Sequence, residues 1–143
     1  MTPNAQKALP DISYTYLLDA PLKKVWRAIS TSEGLAGWLM PNDFQPVLGH
    51  EFTFITQPVG DFDGIVHCKV LELDPPHHLG LSWNGHNMDL FLRLDLKELD
   101  GKTELSLVHS GWLESYAFTR TIMDEGWRRH TRERLENLLA QME

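Results

Sequence analysis

The residues with chemistry beyond packing are seven histidines and one cysteine in a chain of 143. They are densest in LELDPPHHLGLSWNGH, residues 71–86, which holds His77, His78 and His86. Imidazoles this close raise the question of zinc, which needs three or four ligands converging on one point. The spacing argues against it. His77 and His78 are adjacent, and adjacent strand residues point to opposite faces. His86 lies beyond a strand of about six residues, roughly 20 Å long. The expectation is a proline-stiffened corner with solvated imidazoles and no metal. The same alternation disfavours a nucleophilic pair of His67 and Cys68, of which only one is expected to face inward. His109 differs, because it alternates with Leu105 and Leu107 and points inward with them. There it acts as a hydrogen-bonded core residue or orients a polar group of a ligand.

No glycine-rich phosphate loop, Ser-His-Asp order or paired-carboxylate motif stands out. Arg128, Arg129, Arg132 and Arg134 crowd one stretch, but Glu125, Glu133 and Glu136 are interleaved at helical distances. Pairing on a solvated face is therefore expected there, not an anion site.

The elements that must position these residues follow from periodicity. In DISYTYLLDA, the residues Ile12, Tyr14, Tyr16 and Leu18 alternate as in a strand. Pro21 suits a first helical turn, with Asp19 as cap, and LKKVWRAI has helical spacing. Thr31 or Ser32 caps a second short helix, SEGLAGWL, which stops at Pro41. From residue 50 the period becomes two: EFTFIT, IVHCKVLEL, HLGLSW, DLFLRLDLKEL and TELSLVHSGW are five strands. Asn84-Gly85 and Asp100-Gly101 are hairpin turn signals. A closing helix runs from about Ser115 to Met142, with an apolar stripe of Met123, Trp127, Thr131, Leu135, Leu138 and Met142. A sheet with one apolar face needs a cover, and this helix has the length and stripe to supply it.

The totals bound the function. The length suits one domain, with residues 1–11 as a loose leader and 12–143 folded. A formal net charge of −7 gives no general attraction for nucleic acid or an anionic membrane. One cysteine cannot form an internal disulfide, and no apolar run reads as a signal peptide or membrane span. A cytoplasmic protein without cofactor is expected.

Five features recur in a familiar order: APLKKVWRAIS, then GWL, then Asp74-Pro75-Pro76 before a strand ending at Trp83, then His109-Ser110-Gly111-Trp112, then GWRRHTRERLENLL. Together they resemble the START-like (SRPBCC, Bet v 1-like) helix-grip superfamily. Within it the chain is similar to proteins homologous to the C-terminal domain of the activator of the 90-kDa heat-shock protein ATPase. The resemblance spans roughly residues 12–140. It implies an α+β fold: a curved antiparallel sheet wrapped around a long C-terminal helix, two short helices after the first strand, and a cavity that often takes a hydrophobic small molecule. Eukaryotic activators carry a further N-terminal domain that contacts the chaperone, and 143 residues do not hold both.

The expected function is therefore binding of an apolar or aromatic molecule, a lipid among them, without catalysis. Trp38, Phe54, Trp83, Leu92, Met123 and Trp127 are the expected walls, His109 the main polar contact, and GWLMPNDF a lid. The alternatives are a co-chaperone-like interaction module with a filled cavity, and a cyclase or hydrolase with His109 as general base. A monomer is expected, or a homodimer paired through an uncovered edge strand.

Overall fold

Tight turns and alternation organise the sheet. The computed structural model describes residues 7–142. Strands β1 (Ile12–Leu18), β2 (Glu51–Ile55), β3 (Ile65–Asp74), β4 (His78–Gly85), β5 (Met88–Leu99) and β6 (Lys102–Ser110) form one antiparallel sheet in the order β1-β6-β5-β4-β3-β2. Helices α1 (Leu22–Ile29) and α2 (Ser32–Trp38) lie between β1 and β2, and α3 (Ala117–Gln141) follows a 3-10 turn at Glu114–Tyr116. This is the expected helix-grip architecture, with the apolar face of the sheet turned to the helices.

The β5–β6 turn sits where expected, with φ of 50° at Asp100 and 80° at Gly101. The β4–β5 turn does not. It is made by His86 and Asn87, at φ of 51° and 64°, not by Asn84-Gly85. Side-chain matching explains the shift. The observed register sets Leu79, Leu81 and Trp83 opposite Leu94, Leu92 and Leu90. A turn two residues earlier would place Met88 and His86 opposite Leu81 and Trp83. Three apolar cross-strand pairs outweigh a local preference for Asn-Gly, since each pair contributes up to about 1 kcal/mol. A register shift between Val70 and Glu72 makes Leu71 the unpaired residue. It turns Leu73 toward the core and Glu72 outward.

Both outer strands are contacted along part of their edges. From α3, Arg120 Nε donates to Pro10 O at 2.9 Å, just before β1, and Arg132 donates to Leu17 O at 3.3 Å within it. Along β2, Ile55 N donates to Pro41 O and Thr53 N to Asp43 Oδ1. These contacts occupy one carbonyl of β1 and two amides of β2, while Ser13 and Thr15 of β1 stay exposed, so most of the β1 edge keeps the open character expected for pairing in a dimer.

Three local expectations change. Pro21, not Asp19, occupies the N-cap of α1, and no side chain caps it. On α3 the buried ladder is Trp127, Thr131, Leu135 and Leu139. Leu138 instead packs against Gly37 of α2, where an added Cβ would stand 2.8 Å from its Cδ1. Of the expected leader, residues 1–6 lie outside the described residues, while Leu9 N donates to Trp112 O and Lys7 O accepts from Glu114 N.

The turn position is checked by two substitutions measured by urea unfolding. Asn87→Val forces a β-branched residue to positive φ and lowers stability by about 1–3 kcal/mol. Asn84→Val, on an exposed strand position, changes it by less than about 0.5 kcal/mol. The opposite ranking would place the turn at Asn84-Gly85.

Candidate functional site

The alternation of β6 delivers Thr103, Leu105, Leu107 and His109 to the inner face, all buried. His109 lies opposite Leu92 of β5 and Ile12 of β1 and is 0% exposed. Its Nδ1 receives a hydrogen bond from Trp127 Nε1 of α3 at 3.2 Å. An indole N–H only donates, so Nδ1 is the unprotonated nitrogen and the neutral ring carries its hydrogen on Nε2. Nε2 is buried and has no hydrogen-bond partner among the described residues. Aromatic rings surround it: Trp83 and Trp112 each at 5.1 Å between centroids, and Trp127 at 5.8 Å.

Trp112 arrives by a backbone device. Gly111 has φ of 96°, and a Cβ there would stand 2.9 Å from Asp89 O. Only glycine allows this reversal beside β5, and it folds Trp112 back so that its Nε1 donates to His109 O at 3.0 Å. The cluster then extends across the sheet. Trp83 packs on Phe54 at 5.4 Å, Phe54 on Phe52 at 5.3 Å, and Phe52 on Phe44 at 5.2 Å.

Of the expected site residues, Phe54, Trp83, Leu92, His109 and Trp127 come together. Met123 is half-buried one turn before Trp127 and packs on the core. Trp38 is buried elsewhere, its Nε1 donating to Ala28 O between α1 and α2. The rings expected to line a cavity touch one another, so side chains fill this interior. The segment GWLMPNDF is pinned as well: Asn42 Nδ2 donates to Ser32 O and Met40 O, and Phe44 is buried against Phe52. Sequence reasoning left out Phe44, Phe52 and Trp112 as site residues. Phe52 shares the alternation of Phe54, and Trp112 follows a glycine, but an isolated loop aromatic such as Phe44 carries no local signal.

The remaining reactive groups are apart from this cluster. Cys68 faces inward and burial pushes its thiol up to about 12, while His67 is exposed, so the two form no pair. His77 and His78 are not simply solvated. His77 Nδ1 contacts Leu96 O at 3.3 Å. His78 bridges Asp95 through Nδ1 at 2.5 Å and Glu72 through Nε2 at 2.7 Å. Partial burial pulls its pKa down, but hydrogen bonds and charge from Glu72 and Asp95 outweigh that and leave it raised. Both ring nitrogens are engaged by carboxylates, so the three do not converge as metal ligands. On α3, Arg128 and Arg129 pair with Glu125, and Arg132 pairs with Glu136, as the interleaving suggested. A surface groove of about 340 Å³ runs beside these arginines, lined also by Tyr14 and Tyr16 of β1.

Burial lowers the His109 pKa from 6.5 to about 3. This has a measurable consequence. Above about pH 6.5 the ring is neutral in both folded and unfolded chains. As pH falls toward 3 the unfolded chain takes up a proton that the folded chain refuses, and about 4–5 kcal/mol of stability is lost, at most about 1.4 kcal/mol per pH unit. His109→Gln removes this component. Denaturant unfolding should show the stability advantage of wild type over the variant shrinking between pH 6.5 and 4; an advantage independent of pH contradicts the assignment.

Comparison with known proteins agrees with this architecture. The family model described as activator of Hsp90 ATPase homolog 1-like protein matches residues 19–140. A Mesorhizobium loti protein of known crystal structure is 26% identical, with a TM-score of 0.83 over 94% of this chain and 99% of that one. A Bacillus halodurans protein solved in solution is 35% identical, with a TM-score of 0.78 over 92% of this chain and 98% of that one. An HSP90 activator from Plasmodium falciparum is 15% identical and shares the fold, with a TM-score of 0.73 over 91% of this chain and 96% of that one. No curated protein matches the chain. The strand order, the long closing helix and the match over residues 19–140 place the chain in the family of activator of Hsp90 ATPase homolog 1-like proteins.

Proposed function

We propose that the protein binds an apolar or aromatic small molecule between the inner face of the sheet and α3, without catalysing a reaction on it. The observation that carries this reading is the His109 imidazole, whose Nε2 is buried among aromatic rings without a hydrogen-bond partner among the described residues. A buried donor left unmade costs about 1–3 kcal/mol, a penalty that a bound acceptor would remove. The surrounding rings offer apolar contact, and binding would be driven by burial of the ligand's surface at about 25 cal/mol per Å² before ordering costs.

Access requires part of the closed interior to move, and α3 supplies a segment able to do so. Residues 117–126 contribute no fully buried side chain, with Phe118 80% and Ile122 55% exposed. The next residue, Trp127, begins the buried ladder. Gly126 separates the two halves, and nothing lies within 4 Å of where its Cβ would be. Packing does not require glycine there, and in a helix interior it is less favourable than alanine by about 1 kcal/mol. The first half is tied to the sheet chiefly by polar bonds, Tyr14 Oη to Asp124 at 2.6 Å and Arg120 to Pro10 O. We take this half as the moving part and Gly126 as its hinge.

The non-catalytic reading rests on the same imidazole. A general base works best with a pKa near the operating pH, and His109 at about 3 is far from it. Its hydrogen-bond and ring contacts are with tryptophans and not with a carboxylate. A reducing compartment such as the cytoplasm suits the single buried thiol. No helix among the described residues is long and apolar enough to cross a membrane.

The filled interior and the exposure of Phe118 and Ile122, one turn apart on α3, favour a second reading: docking of this helix on a chaperone of the Hsp90 type, in line with the family of activator of Hsp90 ATPase homolog 1-like proteins. The two readings separate in one titration. Apolar aromatic compounds and fatty acids should give a saturable change in tryptophan fluorescence and a rise in Tm, reaching about 2.7 kcal/mol of stabilisation at a ligand concentration of 100 Kd. Gly126→Ala should stiffen α3, stabilise the free protein by up to about 1 kcal/mol and slow association several-fold. Silence across the panel, with binding to the chaperone by calorimetry, would favour the second reading.

A further inference from the structure

The polarity of the buried imidazole limits what can bind beside it. Trp127 donates to Nδ1, which leaves Nε2–H as the free group, a donor without an acceptor among the described residues. We infer that the ligand is an uncharged aromatic compound carrying one hydrogen-bond acceptor, a ketone, ester or amide oxygen, which receives the bond from His109 Nε2. This rests on the reading of the interior as a binding site and specifies its chemical class.

Three observations narrow the class. First, a ligand hydroxyl that accepts from Nε2–H would still have its own O–H to place, and Nδ1, the acceptor of the imidazole, is already taken by Trp127 at 3.2 Å. Second, a carboxylate would be buried beside a ring that stays neutral, since burial holds the pKa of His109 near 3. Among the described residues, no lysine or arginine takes part in the ring and hydrogen-bond contacts of His109. A buried carboxylate without a cation is strongly disfavoured. Third, the nearest groups are ring faces and edges of Trp83, Trp112 and Trp127, which favour a flat aromatic body over a saturated chain. The competing account is that Nε2–H points at an indole ring and needs nothing more. Such contacts are weak, and they predict no preference for an acceptor.

The test uses compounds of one two-ring skeleton: diphenylmethane, benzophenone and benzophenone-4-carboxylate. Fluorescence titration of the wild-type protein should show benzophenone binding at least ten-fold tighter than diphenylmethane, and the carboxylate weaker than benzophenone. In 15N-histidine-labelled protein the His109 Nε2–H proton should move downfield with benzophenone and not with diphenylmethane. His109→Phe keeps a ring and removes the donor, and should equalise benzophenone and diphenylmethane. Equal affinities in the wild type, or tightest binding of the carboxylate, would overturn the inferred class while leaving the binding site in place. No saturable binding of any of the three would overturn the class and count against the binding reading on which it rests. If His109→Phe does not fold, the wild-type affinities and the 15N spectrum decide alone.

Discussion

A neutral imidazole enclosed by aromatic rings is the constraint around which this protein is arranged. His109 has no exposure, and burial adds about 4–5 kcal/mol to the cost of charging it, a third or more of the stability of a typical domain. The ring must therefore stay neutral, and its two nitrogens need different treatment. Trp127 satisfies one of them from α3, which ties the closing helix to the far end of β6. Trp112 bonds the carbonyl of the same residue and depends on the reversed backbone at Gly111. The helix, the strand end and the loop after it thus meet on one residue.

This arrangement divides α3. From Trp127 onward a ladder every four residues seals the core through Thr131, Leu135 and Leu139. Tyr16 Oη, donating to Trp127 O at 2.7 Å, fixes the start of that ladder to β1. Before Gly126 the helix is held mainly by polar groups at its surface. Few buried apolar contacts and several exposed polar ones mark a segment of low local stability. Stability and access can therefore reside in one helix, with its anchored half holding the fold and its outer half free to respond to a ligand.

Much of the fold was legible in the sequence because alternation and helical spacing report burial directly. Leu90, Leu92, Leu94 and Leu96 could only be one face of a strand, and they line the inner face. What escaped depended on contacts distant in sequence. The Asn84-Gly85 signal lost to the pairing of Leu79, Leu81 and Trp83 with β5. His78 looked solvated because Glu72 and Asp95 come from neighbouring strands, and Glu72 faces outward only through the irregularity at Leu71. The site was half legible. Parity put His109 and Trp83 inside, yet it could not show that Trp38 belongs to the α1–α2 junction or that Phe44 joins the aromatic row.

Intermolecular NOEs between an apolar aromatic ligand and the labelled protein test the central claim most directly. The account predicts NOEs from the ligand to the ring protons of Trp83, His109 and Trp127, together with altered shifts in residues 117–126. NOEs confined to Phe118 and Ile122, or to the groove beside Arg128 and Arg132, with the His109 ring unmoved, would contradict it.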